Sequence, residues 1–353
     1  MAKQLIKGNE AIGEAAIRGG CRFFFGYPIT PQTEIPEYLS KRMFEVGGCF
    51  IQSESEIAAI NMVYGAAAAG ARAMTSSSSP GISLKQEGIS YIACAQLPCV
   101  IVNMQRSGPG LGGITPSQAD YFQAVKGGGH GDYKMIVYAP STVQEAVDMM
   151  YVAFDKADQY RMPVFILGDG MLGQIMEPVE FPPMKEMPDP ETKDYATTGT
   201  HSGKDRRIVN SLHIEVEDNE AHNKMLQAIY KQVEDNEVQC EEFMCEDAEI
   251  LLTAYGTVGR ICKSTVKNLR NKGVKIGLIR PKTLFPFPTK IYQKYLDKGI
   301  IKRLITVELS SGQFVEDVRL SVNGRLPVEF YGRMGGAVMT PEEIVKFVEE
   351  VGK

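Results

Sequence analysis

Arg106 stands at the end of the apolar run PCVIVNMQ, and a glycine-rich segment, SGPGLGGI, follows it directly. A guanidinium beside a pliant loop suits a carboxylate-bearing substrate, because its planar fork offers donors to both oxygens. Gly108, Gly110 and Gly113 satisfy the spacing GxGxxG. Pro109 intrudes, however, and no strand with an acidic end follows about 20 residues on, so the dinucleotide-binding reading is set aside. A second signal is ESEIAAINMVYGAAAAGAR (54–72), where Glu56 opens an apolar helix rich in small residues. A carboxyl at a dry packing surface can serve as a tuned acid or base, although Glu54 and Glu56 would equally complement a helix dipole. In GYPITPQTEIP (26–36) two prolines stiffen the chain and hold Thr30 at the carboxyl end of a strand, where parallel sheets place ligands. The same loop also reads as a plain rigid turn before a helix. MTSSSSPGISL (74–84) sets four serines ahead of a helix start, fit to cradle an anion or to cap a turn. GGGHGDY (127–133) lets backbone approach a ligand closely, with His130 either a contact or an ordinary loop residue.

Metal chemistry is poorly represented. The seven cysteines, at 21, 49, 94, 99, 240, 245 and 262, include no CxxC pair. The four histidines, His130, His201, His213 and His222, form no HxxH or HExxH. Structural zinc and iron–sulfur sites normally show such close pairs, so no metal is expected in this chain and the cysteines read as reduced, buried and structural.

These signals must be positioned by a regular frame. Runs at 22–26, 49–52, 72–75, 99–104, 134–139 and 163–168 read as buried strands. Helical patterns at 8–19, 33–44, 56–70, 81–93, 117–126 and 142–158 alternate with them. The clearest is STVQEAVDMMYVAFDKA, capped by Ser141 or Thr142 with Glu145 in the first turn. Such alternation predicts an α/β fold, a parallel sheet with helices on both faces. From 179 to 248 a proline-rich acidic linker gives way to one solvated helix near 219–236. Strands at 249–256, 275–281, 303–308 and 327–332, alternating with helices at 257–271, 288–297, 312–322 and 340–351, then build a smaller α/β unit. The expected boundaries are 1–178, 179–248 and 249–353, which suits a 353-residue chain at ~150 residues per domain. Net charge −5 leaves no footprint for nucleic acid, no run approaches the ~20 apolar residues of a membrane span, and MAKQLIKGNE is no secretion signal. A cytoplasmic protein is expected.

Taken together, YPITP, QSESEIAAINMVYGAAAAGAR, SSSSPGISL, QRSGPGLGG, GGGHGD and ELSSGQF (308–314) resemble the α subunit of 2-oxoacid:ferredoxin oxidoreductases, in the same order along nearly the whole chain. FGYPITPQTEIPEYLSKR and SSSSPGISLKQEG are most like the branched-chain type, which acts on 3-methyl-2-oxobutanoate. The resemblance implies a thiamine diphosphate pyrimidine-binding domain followed by a transketolase C-terminal-like domain. It implies oxidative decarboxylation to isobutyryl-CoA, with electrons passing to ferredoxin; 2-oxoglutarate and pyruvate are the alternative substrates within the family. The diphosphate and Mg2+ would belong to a β subunit and the 4Fe-4S clusters to partner subunits, γ and δ being ferredoxin-type, in a dimer of hetero-oligomers that also uses coenzyme A. GDG at 168–170 opens like the signature of a self-sufficient thiamine enzyme, but PPMKEMPDPETKDY beyond it holds no asparagine to complete the Mg2+ site. GDG therefore reads as a strand-end turn. Residue by residue, Glu56 matches the glutamate that hydrogen-bonds N1′ of the aminopyrimidine. Thr30 and Arg106 match substrate contacts, and Tyr27, Pro28, Ile29 and Ser79 join Glu56 about the cofactor. Leu111 and Ile114 would line an apolar side-chain pocket. A stand-alone ligand-binding protein using the 108–113 loop is the competing reading outside enzymology.

Overall fold

The branched and aromatic runs are strands of two sheets in a computed structural model that describes residues 3–200 and 205–351. In the first sheet, β2 (Phe23–Gly26), β3 (Cys49–Gln52), β4 (Ala73–Ser77), β5 (Cys99–Gln105), β6 (Ile136–Tyr138) and β7 (Pro163–Asp169) are parallel. Their spatial order is β6-β7-β5-β4-β2-β3. β5 and β7 are buried along their whole length, the condition that produces apolar runs without polar alternation. Helices α1 (Gly8–Arg18), α2 (Glu34–Glu45), α3 (Glu56–Ala68), α4 (Pro80–Cys94) and α5 (Val143–Tyr160) cover the sheet. Thr142 caps α5 by accepting the Glu145 N–H at 3.1 Å, as its sequence predicts. A short antiparallel ribbon, β1 (Gln4–Lys7) with β8 (Met176–Val179), lies apart from both sheets.

The second sheet has β10 (Ile250–Thr253), β11 (Ile276–Pro281), β13 (Arg303–Glu308) and β14 (Val328–Gly332) in parallel, flanked by antiparallel β9 (Cys240–Phe243). Its last helix (Pro341–Val351) starts with a reciprocal capping box. Thr340 N–H donates to Glu343 at 2.7 Å, and Glu343 N–H donates to the Thr340 hydroxyl at 3.3 Å. The α/β architecture with predominantly parallel sheets agrees with the sequence reading. Three details differ. The surface helix runs from Val216 to Asn236, and β9 follows it as an unanticipated edge strand. β12 (Thr283–Phe285) leaves the second sheet and pairs with β6 of the first. Residues 117–126 do not form the expected helix; helical backbone begins only at residue 121 and runs on as a short π-helical segment, Gln123–Gly127. The reason is that the chain's hydrogen bonds leave the segment. Gln118 N–H donates to Leu309 O at 2.9 Å, its side-chain oxygen accepts the Leu309 N–H at 3.0 Å, and its side-chain nitrogen donates to Tyr255 O at 3.0 Å.

A buried ionic cluster joins the two units. Arg280 on β11 is 2% exposed and donates to both oxygens of Glu145 on α5, at 3.0 and 2.5 Å, and to Glu241 on β9 at 2.6 Å. Lys282 adds a contact to Glu145 at 3.1 Å, and Lys263 pairs with Glu241. Burial pushes the Glu145 carboxyl up, but the Arg280 and Ser141 hydrogen bonds outweigh it and hold it down at about 2. A depressed carboxyl stabilises the fold above its unfolded value near 4.5 and loses that contribution as pH falls towards 2. Arg280→Met should therefore cost roughly 2–4 kcal/mol at pH 7 in denaturant titrations, because Glu145 and Glu241 lose their buried partner and keep only the more exposed Lys282 and Lys263. The deficit should shrink below about pH 4.5, where those carboxylates take up protons. An equal deficit at pH 3.5 and pH 7 would contradict this account.

Candidate functional site

β2 runs on to β3 on one side of it, whereas its other neighbour, β4, continues to β5 in the opposite direction. Open α/β sheets bind ligands in the crevice outside the carboxyl ends of such a strand pair. Here the crevice is walled by the loop after Gly26 and by the serine-rich turn after Ser77. Gln32 crosses it, its side-chain oxygen accepting from Ser76 Oγ at 2.5 Å.

Glu56 opens α3 above this crevice and is 7% exposed. Ser55 holds the helix start by accepting the Ala58 N–H at 3.2 Å. The Glu56 carboxylate faces the first turn of α4 at Gly81, where a methyl group would meet Ser77 Oγ at 2.1 Å and Glu56 Oε1 at 2.7 Å. Only glycine leaves that space. The Ser77 and Ser78 hydroxyls are buried nearby and have no hydrogen-bond partner among the described residues. Lys85, one turn further along α4, is fully buried and donates to Thr75 Oγ1 at 3.1 Å. Burial pulls its ammonium down to about 8, while the charge of Glu56 acts in the other direction.

On the far side of the same turn, Ser79 sits at φ 30°, ψ −86°, a left-handed backbone conformation that costs a non-glycine residue of order 1–3 kcal/mol. A buried polar cluster holds it there. Its N–H donates to Asn103 at 3.0 Å, its hydroxyl donates to Asp120 at 2.6 Å, and it accepts the Arg106 N–H at 3.0 Å. Asn103 also donates to Asp120, at 2.9 Å. Burial pushes the Asp120 carboxyl up, and the Ser79 and Asn103 hydrogen bonds partly oppose it.

Arg106 is 8% exposed. One terminal nitrogen donates to Thr30 O at 3.0 Å and the other to Leu111 O at 2.9 Å. Its Nε is buried and has no partner. The fork thus ties two loops together and leaves the buried Nε–H without a partner among the described residues. Arg106 and Ser79 line one groove of about 570 Å³, with Gly108, Asp120, Leu309 and Met334. Thr30, exposed at the loop tip, lines a neighbouring groove of about 770 Å³ with Ile114, Pro116, Met171 and Val338. Tyr27 is 37% exposed, and Pro28 and Ile29 lie at the surface of the same loop. Leu111 is 81% exposed and lines neither groove, whereas Ile114, 64% exposed, stands at the rim of the Thr30 groove. His130 is exposed and stands elsewhere, by the end of α4. Asp169 of the GDG segment spends its carboxylate on the N–H groups of Met171 and Leu172, at 2.9 and 3.0 Å, as a strand-end cap.

Sequence reasoning passed over Lys85, Asn103 and Asp120. Lys85 had a legible signal, since Ile82, Lys85, Ile89 and Ile92 follow helical spacing and a lysine inside that stripe must be buried. The site yields a signed prediction. A lysine whose folded value is about 8 binds fewer protons than the unfolded chain between about pH 8 and 10.4, so stability contributed at this position rises across that window. The difference in melting temperature between wild type and Lys85→Met should therefore move towards wild type from pH 7 to pH 10. A constant difference would show that Lys85 is not held at a depressed value.

The chain matches two families consecutively: the thiamine diphosphate-binding domain of pyruvate flavodoxin/ferredoxin oxidoreductase over residues 14–242, and core domain II of pyruvate:ferredoxin oxidoreductase over residues 248–344. Ketoisovalerate oxidoreductase subunit VorB of Methanothermobacter marburgensis is 49% identical to it, over 99% of this chain and 98% of that protein. 2-Oxoglutarate synthase subunit KorA of Methanocaldococcus jannaschii is 36% identical, over 99% of this chain and 100% of that protein. A solved 2-oxoglutarate:ferredoxin oxidoreductase from Magnetococcus marinus, with 2-oxoglutarate, coenzyme A and succinyl-CoA bound, aligns at a TM-score of 0.86 and 28% identity. The alignment covers 99% of this chain and 65% of the solved one, so this chain spans about two thirds of that chain's length.

Proposed function

Because the chain belongs to the 2-oxoacid:ferredoxin oxidoreductase family, we propose that it is the α subunit of a thiamine diphosphate-dependent enzyme. The reaction is oxidative decarboxylation of 3-methyl-2-oxobutanoate to isobutyryl-CoA, with reduction of ferredoxin. The observation that supports the cofactor reading is the close packing at Gly81: a buried carboxylate and two serine hydroxyls without partners among the described residues meet at a helix turn where only glycine lets them approach. That donor set fits a flat heteroaromatic ring with one basic nitrogen, and it offers nothing suited to a diphosphate or Mg2+. Those belong to a β subunit in this reading, and the 4Fe-4S clusters to γ and δ subunits, so that the chain supplies part of a shared site.

Thiamine diphosphate, when bound, supplies the electron sink for the pair left by decarboxylation. Glu56 would hold a proton on the basic ring nitrogen, with the Gly81 turn positioning its carboxylate. The Arg106 guanidinium at the wall of its groove, with Thr30 at the loop tip, would pair with the substrate carboxylate. The apolar residues Ile114, Met171 and Val338 suit a branched aliphatic chain. Among the described residues lining the two grooves, Arg106 is the only cation, and Glu34 stands in the Thr30 groove as an anion. A substrate with a second carboxylate, such as 2-oxoglutarate, finds no partner there, which supports the same preference as the VorB relative.

Glu56→Gln in the assembled complex should lower turnover by about 10²–10⁴-fold while leaving subunit assembly intact, as a near-isosteric change that removes proton handling. Retained turnover in steady-state dye reduction would remove Glu56 from the mechanism. Arg106→Ala should raise the apparent KM for the oxoacid about 10- to 100-fold through loss of a charged hydrogen bond, with a smaller fall in kcat as the Thr30 and Leu111 loops loosen. An unchanged KM would exclude Arg106 from the substrate site.

A further inference from the structure

The sequence shows no paired ligand motif, yet the fold brings three separated nitrogen and sulfur ligands together. Cys94 is the last residue of α4, His213 lies in the extended strap that precedes the surface helix α7 (Val216–Asn236), and His222 lies in the first turns of α7. One ligating atom from each stands within 4.8 Å of the other two. Cys94 Sγ is 3.7 Å from His222 Nε2. Adjacent sulfur and nitrogen ligands on a tetrahedral zinc ion, with bonds of about 2.3 and 2.0 Å, stand about 3.6 Å apart. The two imidazoles stack with centroids 4.3 Å apart. A second observation points to a ligand: His213 Nε2 is shut away from solvent and has no hydrogen-bond partner among the described residues. A buried ring nitrogen left unpaired is costly unless something takes up its bonding capacity.

We propose that Cys94, His213 and His222 form a zinc site that clamps the strap and the start of α7 onto the end of α4. One thiolate and two imidazoles are the borderline-soft donor set that zinc favours. A groove of about 520 Å³ lined by His130, Asp132 and Asn219 adjoins the cluster and leaves a fourth position for water or one of these side chains. Drawing the ligand atoms to tetrahedral spacing needs shifts of no more than about 1.5 Å and the turning of one stacked imidazole about its Cβ–Cγ bond so that both lone pairs converge. On binding, the Cys94 thiol releases its proton to solvent. His222 carries its proton on Nδ1, and the 2.8 Å contact of Nε2 with Cys94 O gives way to the metal bond.

The clamp has a mechanical rationale. The buried residues of α7 are Leu226, Tyr230 and Val233, all in its second half. The strap and the helix start expose Ile208, Leu212, Ile214 and Val216, so little apolar burial holds that end down. The opposite end of α4 carries the Ser79–Gly81 turn, so the site anchors the helix on which the Glu56 cradle is built. His201 lies outside the described residues and takes no part in the argument.

The test uses the full chain, stripped with chelator under reducing conditions and titrated with Co2+ as a spectroscopic substitute for zinc. The expected result is one equivalent bound, with intense tetrahedral visible bands and a near-ultraviolet thiolate-to-cobalt band. Cys94→Ser should lose the near-ultraviolet band, and His213→Gln and His222→Gln should each weaken binding by about tenfold or more. Matching circular dichroism of the metal-free variants shows that they fold. Zinc should also slow tryptic cleavage at Arg206 and Arg207 in wild type and not in Cys94→Ser. Absence of a thiolate band, its persistence in Cys94→Ser, or strap cleavage indifferent to zinc would overturn the proposal.

Discussion

The pivotal interaction is the way the Arg106 guanidinium is held. A cation 8% exposed, whose partners within the chain are carbonyl oxygens, survives only where its surroundings are fixed by other forces. Those forces come from the carboxyl ends of three parallel strands. β5 leads directly to Arg106, β4 leads to Ser79, and β2 leads to Thr30. Ser79, Asn103 and Asp120 form the buried cluster that sets the Arg106 backbone, and Arg106 in turn sets the two loops. Loosening any one of these contacts releases the others, since polar networks in a low-dielectric interior lose most when partly satisfied.

The same logic extends to the second sheet. The segment after Arg106 turns away from helix formation because its donors and acceptors are satisfied by Leu309 and Tyr255. Further on, the Tyr121 hydroxyl donates to Asp317 at 2.6 Å. Glu308 is fully buried at the start of this contact, its carboxylate accepting the N–H groups of Gln313, Phe314 and Val315 at 3.2, 3.0 and 3.1 Å. ELSSGQF is thus the helix start against which the Arg106 loop docks. With β12 inserted beside β6 and Arg280 gripping α5, the second unit braces the first.

Much of this frame was legible in the sequence, for identifiable reasons. β5 and β7 are long enough, and buried enough on both faces, to announce themselves, and Thr142 and Thr340 signal their helices by side-chain chemistry. β9, β12 and the β1–β8 ribbon were not legible, because strands of three or four residues at sheet edges carry too few buried positions to set a pattern. Glu56 stood out as an acid opening an apolar helix, whereas Asp120 fell inside the helix expected over 117–126 and its partners, Ser79 and Asn103, come from other strands' ends. Four cysteines, at 21, 99, 245 and 262, are buried as anticipated, but Cys49, Cys94 and Cys240 are only partly so. The approach of Cys94 to two histidines more than a hundred residues onward has no local signature.

The most direct test of the central claim is substrate preference of the assembled complex, purified without oxygen together with its partner subunits. Coenzyme A-dependent dye reduction should be compared across 3-methyl-2-oxobutanoate, 2-oxoglutarate and pyruvate. A site with one buried guanidinium and apolar walls predicts the highest kcat/KM for the branched oxoacid. A preference for 2-oxoglutarate would contradict the reading of the grooves, and no reduction with any oxoacid would contradict the assigned chemistry.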